Sequence, residues 1–378
     1  MGKRRSKMEN LVNKENLFGG IYRGKKVLIT GHTGFKGSWL ALWLQEMGAE
    51  VFGYSLASTS NPDHLGLLNL GIKQEINDIR NPEALSGYIE RIQPDIVFHL
   101  AAQALVRKSY EDVSGTYTTN VIGTLNLFEA CKHIKSVKAI VNVTTDKCYE
   151  NKEWIWGYRE NDPMGGYDPY SSSKACSELL TSSYRNSFFN LDSYKRAHHT
   201  LLASARAGNV IGGGDWAIDR LIPDIIKATV KSEKVQIRNP RSTRPWQHVL
   251  EPLSGYLALG WQLLSGKKEF AEGWNFGPDL RSNLPVEDII NLSKKHWSSI
   301  EVTYSSNPSD LHEANLLMLD CSKANKLLKW MPVWDIEETL ERTIGWYKAY
   351  YQDQVIRSAD DLNHYIKCAR QANLIWTV

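Results

Sequence analysis

A chain of 378 residues with 42% hydrophobic, 10% aromatic and 23% charged side chains can bury a sizeable core. Such a chain is excluded from the disordered, collagenous and low-complexity classes. The formal net charge of +3 belongs to one end: residues 1–24 hold six Lys/Arg against two Glu, a net +4, which leaves −1 for the rest. That near-neutral remainder gives no electrostatic case for nucleic acid or an anionic membrane as partner.

Residues 1–24 read as a polar, basic, flexible leader without the apolar run of a signal peptide. No later segment reaches the roughly 20 apolar residues of a membrane span. Five widely spaced cysteines without a CxxC pair read as reduced thiols, and the expected location is the cytoplasm. The histidines show no HxxxH or HxH spacing, so no metal is expected.

From Lys25 onward short apolar runs alternate with helix-like stretches. VLIT (27–30) is followed by a helix over 39–47, then VFGYSL (51–56), IKQEI (72–76) and a helix over 82–91. DIVFHL (95–100), a helix over 113–133, AIVNVTT (139–145) and a helix after Tyr170 complete the series. This repetition predicts an α/β fold, a Rossmann-type doubly wound parallel sheet over 25–208 with ligands at the strand C-termini. After Asn209, loops rich in Gly, Pro and Trp separate shorter helices (219–231, 286–296), and Ile336, Leu340, Ile344 and Tyr347 mark a closing amphipathic helix over 335–351. Residues 209–378 are read as a smaller C-terminal substrate-binding α/β domain, with some segments returning to the Rossmann domain.

Directly after the first strand stands GHTGFKG, with Gly31, Gly34 and Gly37 spaced by three and His32, Phe35 and Lys36 between them. Small residues there let the backbone approach a pyrophosphate, whose charge meets the free N–H groups of the following helix. The alternative is a tight strand-to-helix turn. No acid follows the second strand, which offers Ser55 and Ser58 instead, and no cation stands there for a 2′-phosphate, so NAD is preferred over NADP. Asp78 and Ile79 border the adenine or form a capping turn before Asn81 and Pro82. Tyr170 and Lys174, four residues apart on a helix, share one face. The ammonium would lower the phenol from its free value of about 10 and hold a nicotinamide ribose, making Tyr170 a base. Alone, that spacing usually marks an exposed helix face.

GxxGxxG with a later YxxxK, together with HLAAQ (99–103), TNVIGT (119–124) and RAGNVIG (206–212), resembles the extended short-chain dehydrogenase/reductase superfamily over about 24–351. The resemblance implies NAD as cofactor, with Ala101, Ala102 and Asn120 among its contacts. Branches differ at the end of the fifth strand, here Thr144-Thr145-Asp146-Lys147. Sugar 4-epimerases of the superfamily lack an acid there, whereas nucleotide-sugar 4,6-dehydratases carry Thr-Asp-Glu. GHTGFKGSW, TTDKCYEN, RAGNVIGGGDW and RPWQHVLEPLSGYL resemble the CDP-linked dehydratases, which implies CDP-glucose as substrate and a place in deoxysugar biosynthesis such as that of lipopolysaccharide O-antigen.

The resemblance gives Tyr170 the 4-hydroxyl proton, Thr145 the placement of that hydroxyl, and Asp146 the acid role at the 6-hydroxyl. The C5 base would be Lys147, where the pattern has Glu. A lysine is a base only with a pKa well below its free value of about 10.4, and an adjacent ammonium works against protonation of Asp146. Lys147 therefore either takes the C5 proton or stabilises the enolate; a surface ion pair of the two is the plain alternative. Arg238, Asn239, Arg241, Arg244 and His248 concentrate cationic donors suited to a diphosphate. By resemblance Arg244 contacts the diphosphate and Asn209 the sugar diphosphate, with Gln103 and Arg107 near the sugar. Solvated loop charges are the alternative, about even for Arg238 and Arg241. LHEANLLMLD (311–320) lacks the arginines that a related branch places before its final domain. Relatives pair through helices flanking the fifth strand, here 113–133 and 170–189, so a homodimer or homotetramer is expected. A 4-epimerase, disfavoured by Asp146-Lys147, and a non-catalytic dinucleotide-bound sensor, disfavoured by the joint presence of Tyr170, Lys174 and Thr145, are the competing readings.

Overall fold

The computed structural model describes residues 14–304 and 316–378; residues 1–13 of the leader and 311–315 of the LHEANLLMLD stretch lie outside the described residues. Seven strands form the central sheet: β1 (Lys26–Thr30), β2 (Glu50–Ser55), β3 (Lys73–Ile76), β4 (Ile96–His99), β5 (Ala139–Val143), β6 (Leu201–Ala207) and β7 (Gly273–Phe276). Their order is β7-β6-β5-β4-β1-β2-β3 and every neighbouring pair is parallel. All residues of β4, β5 and β6 are buried, as a sheet covered on both faces requires, whereas edge strand β3 (KQEI) is largely exposed. The order reverses between β1 and β4, which opens a crevice at the strand C-termini.

Helices α1 (Phe35–Glu46), α2 (Pro82–Ile92), α3 (Gly123–Lys132) and α4 (Pro169–Ser187) carry the crossovers. Leu85, Ile89, Leu127 and Phe128 of α2 and α3 fill one face of the sheet. Trp39, Leu40 and Trp43 of α1 fill the other, together with Leu253 and Leu257 of α5 (Leu250–Leu264). Helix α4 starts where it does because Asp168 caps it, accepting from Ser171 N at 2.9 Å, and Pro169 occupies the first turn. That cap, worth about 1 kcal/mol, fixes Tyr170 in the first turn.

Beyond β6 the chain builds short strand pairs: Val210–Ile211 with Gln247–His248, Thr243–Pro245 with Asn283–Pro285, and Val235–Ile237 with Val302–Tyr304. Helices Leu221–Val230, Val286–His296 and Ile336–Lys348 accompany them. Helix α5 and β7 return to the central sheet.

The leader is shorter than its charge predicts. Leu17, Phe18 and Tyr22 are 0% exposed. Phe18 stacks on Trp376 at 5.1 Å, Gly19 N donates to Val378 O at 2.9 Å, and Lys14 pairs with Glu46 at 2.5 Å. From residue 14 the N-terminus is core, closed by helix α6 (Ser358–Gln371) and the last residues, where Tyr365 and Trp376 both pack on Trp43. Each such apolar side chain contributes about 1.5–3 kcal/mol on burial, far more than a flexible tail would. No helix among the described residues is long and apolar enough to cross a membrane.

Candidate active site

The turn after β1 is closed to side chains. Gly31 has φ +77°, and a Cβ on it would lie 2.7 Å from Ala101 N; a Cβ on Gly37 would lie 2.2 Å from Gly31 O. Helix α1 begins at N-cap Gly34 with no side-chain cap, so its first N–H groups remain available to an anion. These residues fit a dinucleotide pyrophosphate. Where an acid is absent after β2, the Ser55 hydroxyl lies 2.8 Å from that of Thr33. Phe35, Ala101 and Ala102 are half-buried around the crevice, with Ala101 N donating to Thr30 Oγ1.

Several residues expected as cofactor contacts also make contacts within the protein. His32 is fully buried, its Nε2 2.6 Å from Gln74 Oε1 and its ring against Gly53, so the side chain ties β1 to β3 beneath the turn. Asp78 is gripped by Arg80 at 2.6 Å, which holds its carboxyl below the usual range, while Asn81 caps α2. Ile79 is buried in the core against Gly123. Asn120 accepts from Gln103 N at 2.8 Å and donates to Gln103 O and Ser173 Oγ, bracing the β4 loop against α4.

At the end of β5, Thr145 Oγ1 donates to Asp146 Oδ1 at 3.0 Å and lies within hydrogen-bonding reach of the Tyr170 phenol. Asp146 is 1% exposed; burial raises its pKa and outweighs the lowering by Lys147, Thr145, Arg244 and Lys36. The expected acidification by the adjacent ammonium is thus present but smaller than the opposing effect of desolvation. Burial likewise pushes Tyr170 up to about 12, with Asp146 adding to it and Thr145 and Arg220 opposing. The expected lowering by Lys174 is a correction: the Lys174 amine donates to Val143 O at 3.0 Å, and the cation acting on the phenol is Arg220. Burial lowers Lys174 itself to about 8. It also lowers half-buried Lys36 to about 7, with Arg220 and Lys174 adding to that and Asp146 opposing. Lys147 is half-buried next to Asp146.

Arg244 is buried on the Thr243–Pro245 strand and close enough to act on Asp146, so it joins the cluster. Asn209 is half-buried where β6 gives way to Val210–Ile211. Arg107 and Arg238 each approach Asp219 at 3.8 Å. Arg241 is exposed and Gln103 is occupied within its own loop, by Leu105 and Thr116. His248 is a second correction: it is 0% exposed, wedged between Trp39 and Trp334, with burial lowering it to about 3, so it is a neutral core side chain.

Two members of the cluster escaped the sequence reading. Arg220 pairs with Asp215 at 2.8 Å and acts on both Tyr170 and Lys36. Tyr256, on α5, lies under the Lys36 amine at 5.9 Å and close to Tyr170 and Asp146. Tyr256 lies within RPWQHVLEPLSGYL and Arg220 four residues beyond RAGNVIGGGDW, so position in or near a matched stretch is the signal that could have found them. Asp146 Oδ2 and Tyr256 Oη are buried without a hydrogen-bond partner among the described residues. Unpaired buried oxygens in one cluster suit a polar ligand or proton chemistry.

Residues 28–343 match the GDP-mannose 4,6 dehydratase family. The chain is 51% identical to the CDP-glucose 4,6-dehydratase of Salmonella typhimurium over 92% of its own length and 97% of that protein's. It is 30% identical to the dTDP-D-glucose 4,6-dehydratase of Dictyostelium discoideum over 74% of this chain and 64% of the other. Among solved structures, the UDP-glucuronic acid 4-epimerase of Bacillus cereus, in complex with UDP-glucuronic acid and NAD, superimposes with a TM-score of 0.72 at 26% identity, covering 86% of this chain and 100% of that one. The UDP-glucose 4-epimerase of Thermotoga maritima (TM-score 0.74, 22% identity, 86% and 100% coverage) shares the fold. With the glycine turn, the β5-end cluster and α4 in the arrangement that the sequence motifs imply, the chain belongs to the GDP-mannose 4,6 dehydratase family of the extended short-chain dehydrogenase/reductases.

Proposed function

We propose that the protein dehydrates CDP-glucose to CDP-4-keto-6-deoxyglucose, a step toward a deoxysugar such as those of O-antigen. The observation that carries this is Asp146, a buried carboxyl at the Tyr170 cluster that accepts from Thr145 and has its second oxygen without a partner among the described residues. A 4-epimerase has no use for such an acid. The 51% identity along nearly all of both chains supports the CDP-sugar.

The turn 31–37 and Lys174 would hold NAD, which when bound would supply hydride chemistry at C4 and C6 of the glucosyl ring. Tyr170 takes the 4-hydroxyl proton while Thr145 orients that hydroxyl. The C4 ketone acidifies C5. Lys147 receives the C5 proton or, as an ammonium, steadies the enolate, and Asp146 passes its proton to the 6-oxygen. C5–H and C6–O break, C5=C6 forms and water leaves, the C5 proton going to Lys147 or, where Lys147 stays an ammonium, to another base; hydride addition at C6 is then balanced by a proton returned to C5. Arg244 and Asn209 meet the sugar diphosphate, with Arg107, Arg238 and Lys36 adding positive charge.

A panel of CDP-, dTDP-, GDP- and UDP-glucose tests this. The expected result is a 4-keto-6-deoxy product from CDP-glucose, at least about tenfold faster than from the others, with no net NADH. Recovery of CDP-galactose overturns the reading in favour of epimerisation.

The enzyme also pairs with a second copy of itself. Helices at 113–132 and α4 leave Val113, Ile122, Leu179 and Phe188 between 45% and 58% exposed, an apolar set that a partner helix pair would cover. Light scattering after gel filtration is expected to give a dimer or tetramer, and Leu179→Arg a smaller species; a monomeric wild type removes this proposal.

A further inference from the structure

The reacting groups stand on two elements, α4 with Tyr170 and Lys174, and the β5 end with Thr145, Asp146 and Lys147. One buried carboxylate reaches both. Glu178 follows Lys174 by one helical turn and Tyr170 by two, on the same face of α4. It is 4% exposed and accepts from Thr144 Oγ1, the residue before Thr145. From β6 it accepts Ser204 Oγ at 2.7 Å and Arg206 Nη2 at 2.8 Å. Arg206, 5% exposed, then donates to Tyr149 Oη at 2.6 Å and Glu160 O at 3.0 Å, and Tyr149 donates to Asn275 of β7 at 2.7 Å.

We propose that Glu178, clamped by Arg206, is a positioning residue for the reaction: it fixes the Tyr170–Lys174 face of α4 against the β5 end and holds a negative charge next to the Lys174 ammonium. This rests on the dehydratase reading above. A buried ion pair is a poor source of net stability, since apolar replacements of both partners are often neutral or stabilising, whereas removing one partner strands a buried charge. The pair therefore has a use that stability does not supply, and its hydrogen bonds lead to the groups that react.

The electrostatic part has a sign. Around the Lys174 amine stand Glu178 on its own helix, Cys148 from the turn after β5, Lys36 from α1 and neutral His99 from β4. Burial lowers Lys174, and Glu178 is the largest influence raising it. Burial would raise Glu178, but Arg206 with Thr144 and Ser204 holds it below its ordinary value, hence ionised. Without that carboxylate the Lys174 cation is lost at lower pH.

The test compares Glu178→Gln with Glu178→Gln/Arg206→Met. The single variant is expected to lose kcat on the order of 100-fold with little change in KM, to melt earlier, and to move the alkaline limb of its pH profile down by about 1 unit. The double variant removes the stranded guanidinium, so its melting temperature recovers while kcat and the alkaline limb do not. It also binds NAD more weakly by equilibrium dialysis, because the Lys174 ammonium is less populated. A double variant that regains wild-type kcat and pH profile along with its melting temperature overturns the proposal and leaves the pair a structural one. If wild type fails to dehydrate CDP-glucose while the double variant still binds NAD more weakly than wild type, the reaction reading alone is overturned.

Discussion

Tyr170→Phe lowers kcat on CDP-glucose by about 10²–10⁴-fold while the protein melts near the wild-type temperature. The ring is 8% exposed in the first turn of α4 and keeps its packing in the variant, which removes one hydroxyl. If that hydroxyl served only to meet Thr145, its loss would cost about 0.5–1.5 kcal/mol, and a factor of about ten in rate corresponds to 1.36 kcal/mol. A loss well beyond tenfold therefore reports chemistry. The pH dependence gives a second check. Burial holds the phenol up to about 12, so its base form grows as pH rises. The rising limb of the wild-type profile is expected to vanish in Tyr170→Phe. Undiminished turnover in the variant means that the reacting proton goes elsewhere.

Much of the sheet was legible because strands buried on both faces are plain apolar runs: VLIT, DIVFHL and AIVNVTT fall on β1, β4 and β5. The glycine turn and the Tyr170/Lys174 pair were legible for a different reason, that close backbone approach and helical spacing each demand fixed offsets along the chain. What failed depended on distance in sequence. Leu17, Phe18 and Tyr22 stand among charged neighbours, and their partners Trp376 and Leu257 lie hundreds of residues away, so local composition read a core segment as leader. His248 and Arg244 lie in one cationic run, and composition alone reads both as phosphate contacts. Arg244 meets the cluster, yet His248, on the Gln247–His248 strand, turns its ring into the aromatic core. Glu178 carried a signal that went unread, a carboxylate four residues after Lys174 on the same helical face.

Asp146→Asn separates the oxidation half of the reaction from the loss of water. Asparagine keeps the size of the side chain and can still accept from Thr145, whose hydroxyl is 3.0 Å from Oδ1, so Tyr170 and Thr145 stay in place. What is lost is a carboxyl able to give a proton, one whose pKa burial raises against Lys147, Thr145, Arg244 and Lys36. Because the folded pKa is raised, the competent acid is present below that value and lost as pH rises through it; the asparagine has no such dependence. The variant is expected to form the 4-ketone and to exchange the C5 hydrogen with deuterium in heavy water, while 4-keto-6-deoxy product falls by about 10²–10⁴-fold. Proton NMR of recovered CDP-glucose reads the C5 exchange, and the same spectrum reads the C6 methyl of the product. A variant that makes the methyl signal at the wild-type rate takes the acid role away from Asp146. Adding Lys147→Ala then decides the C5 step: if exchange stops, the lysine is the base, and if exchange continues but slows, its ammonium steadies the enolate while another group removes the proton.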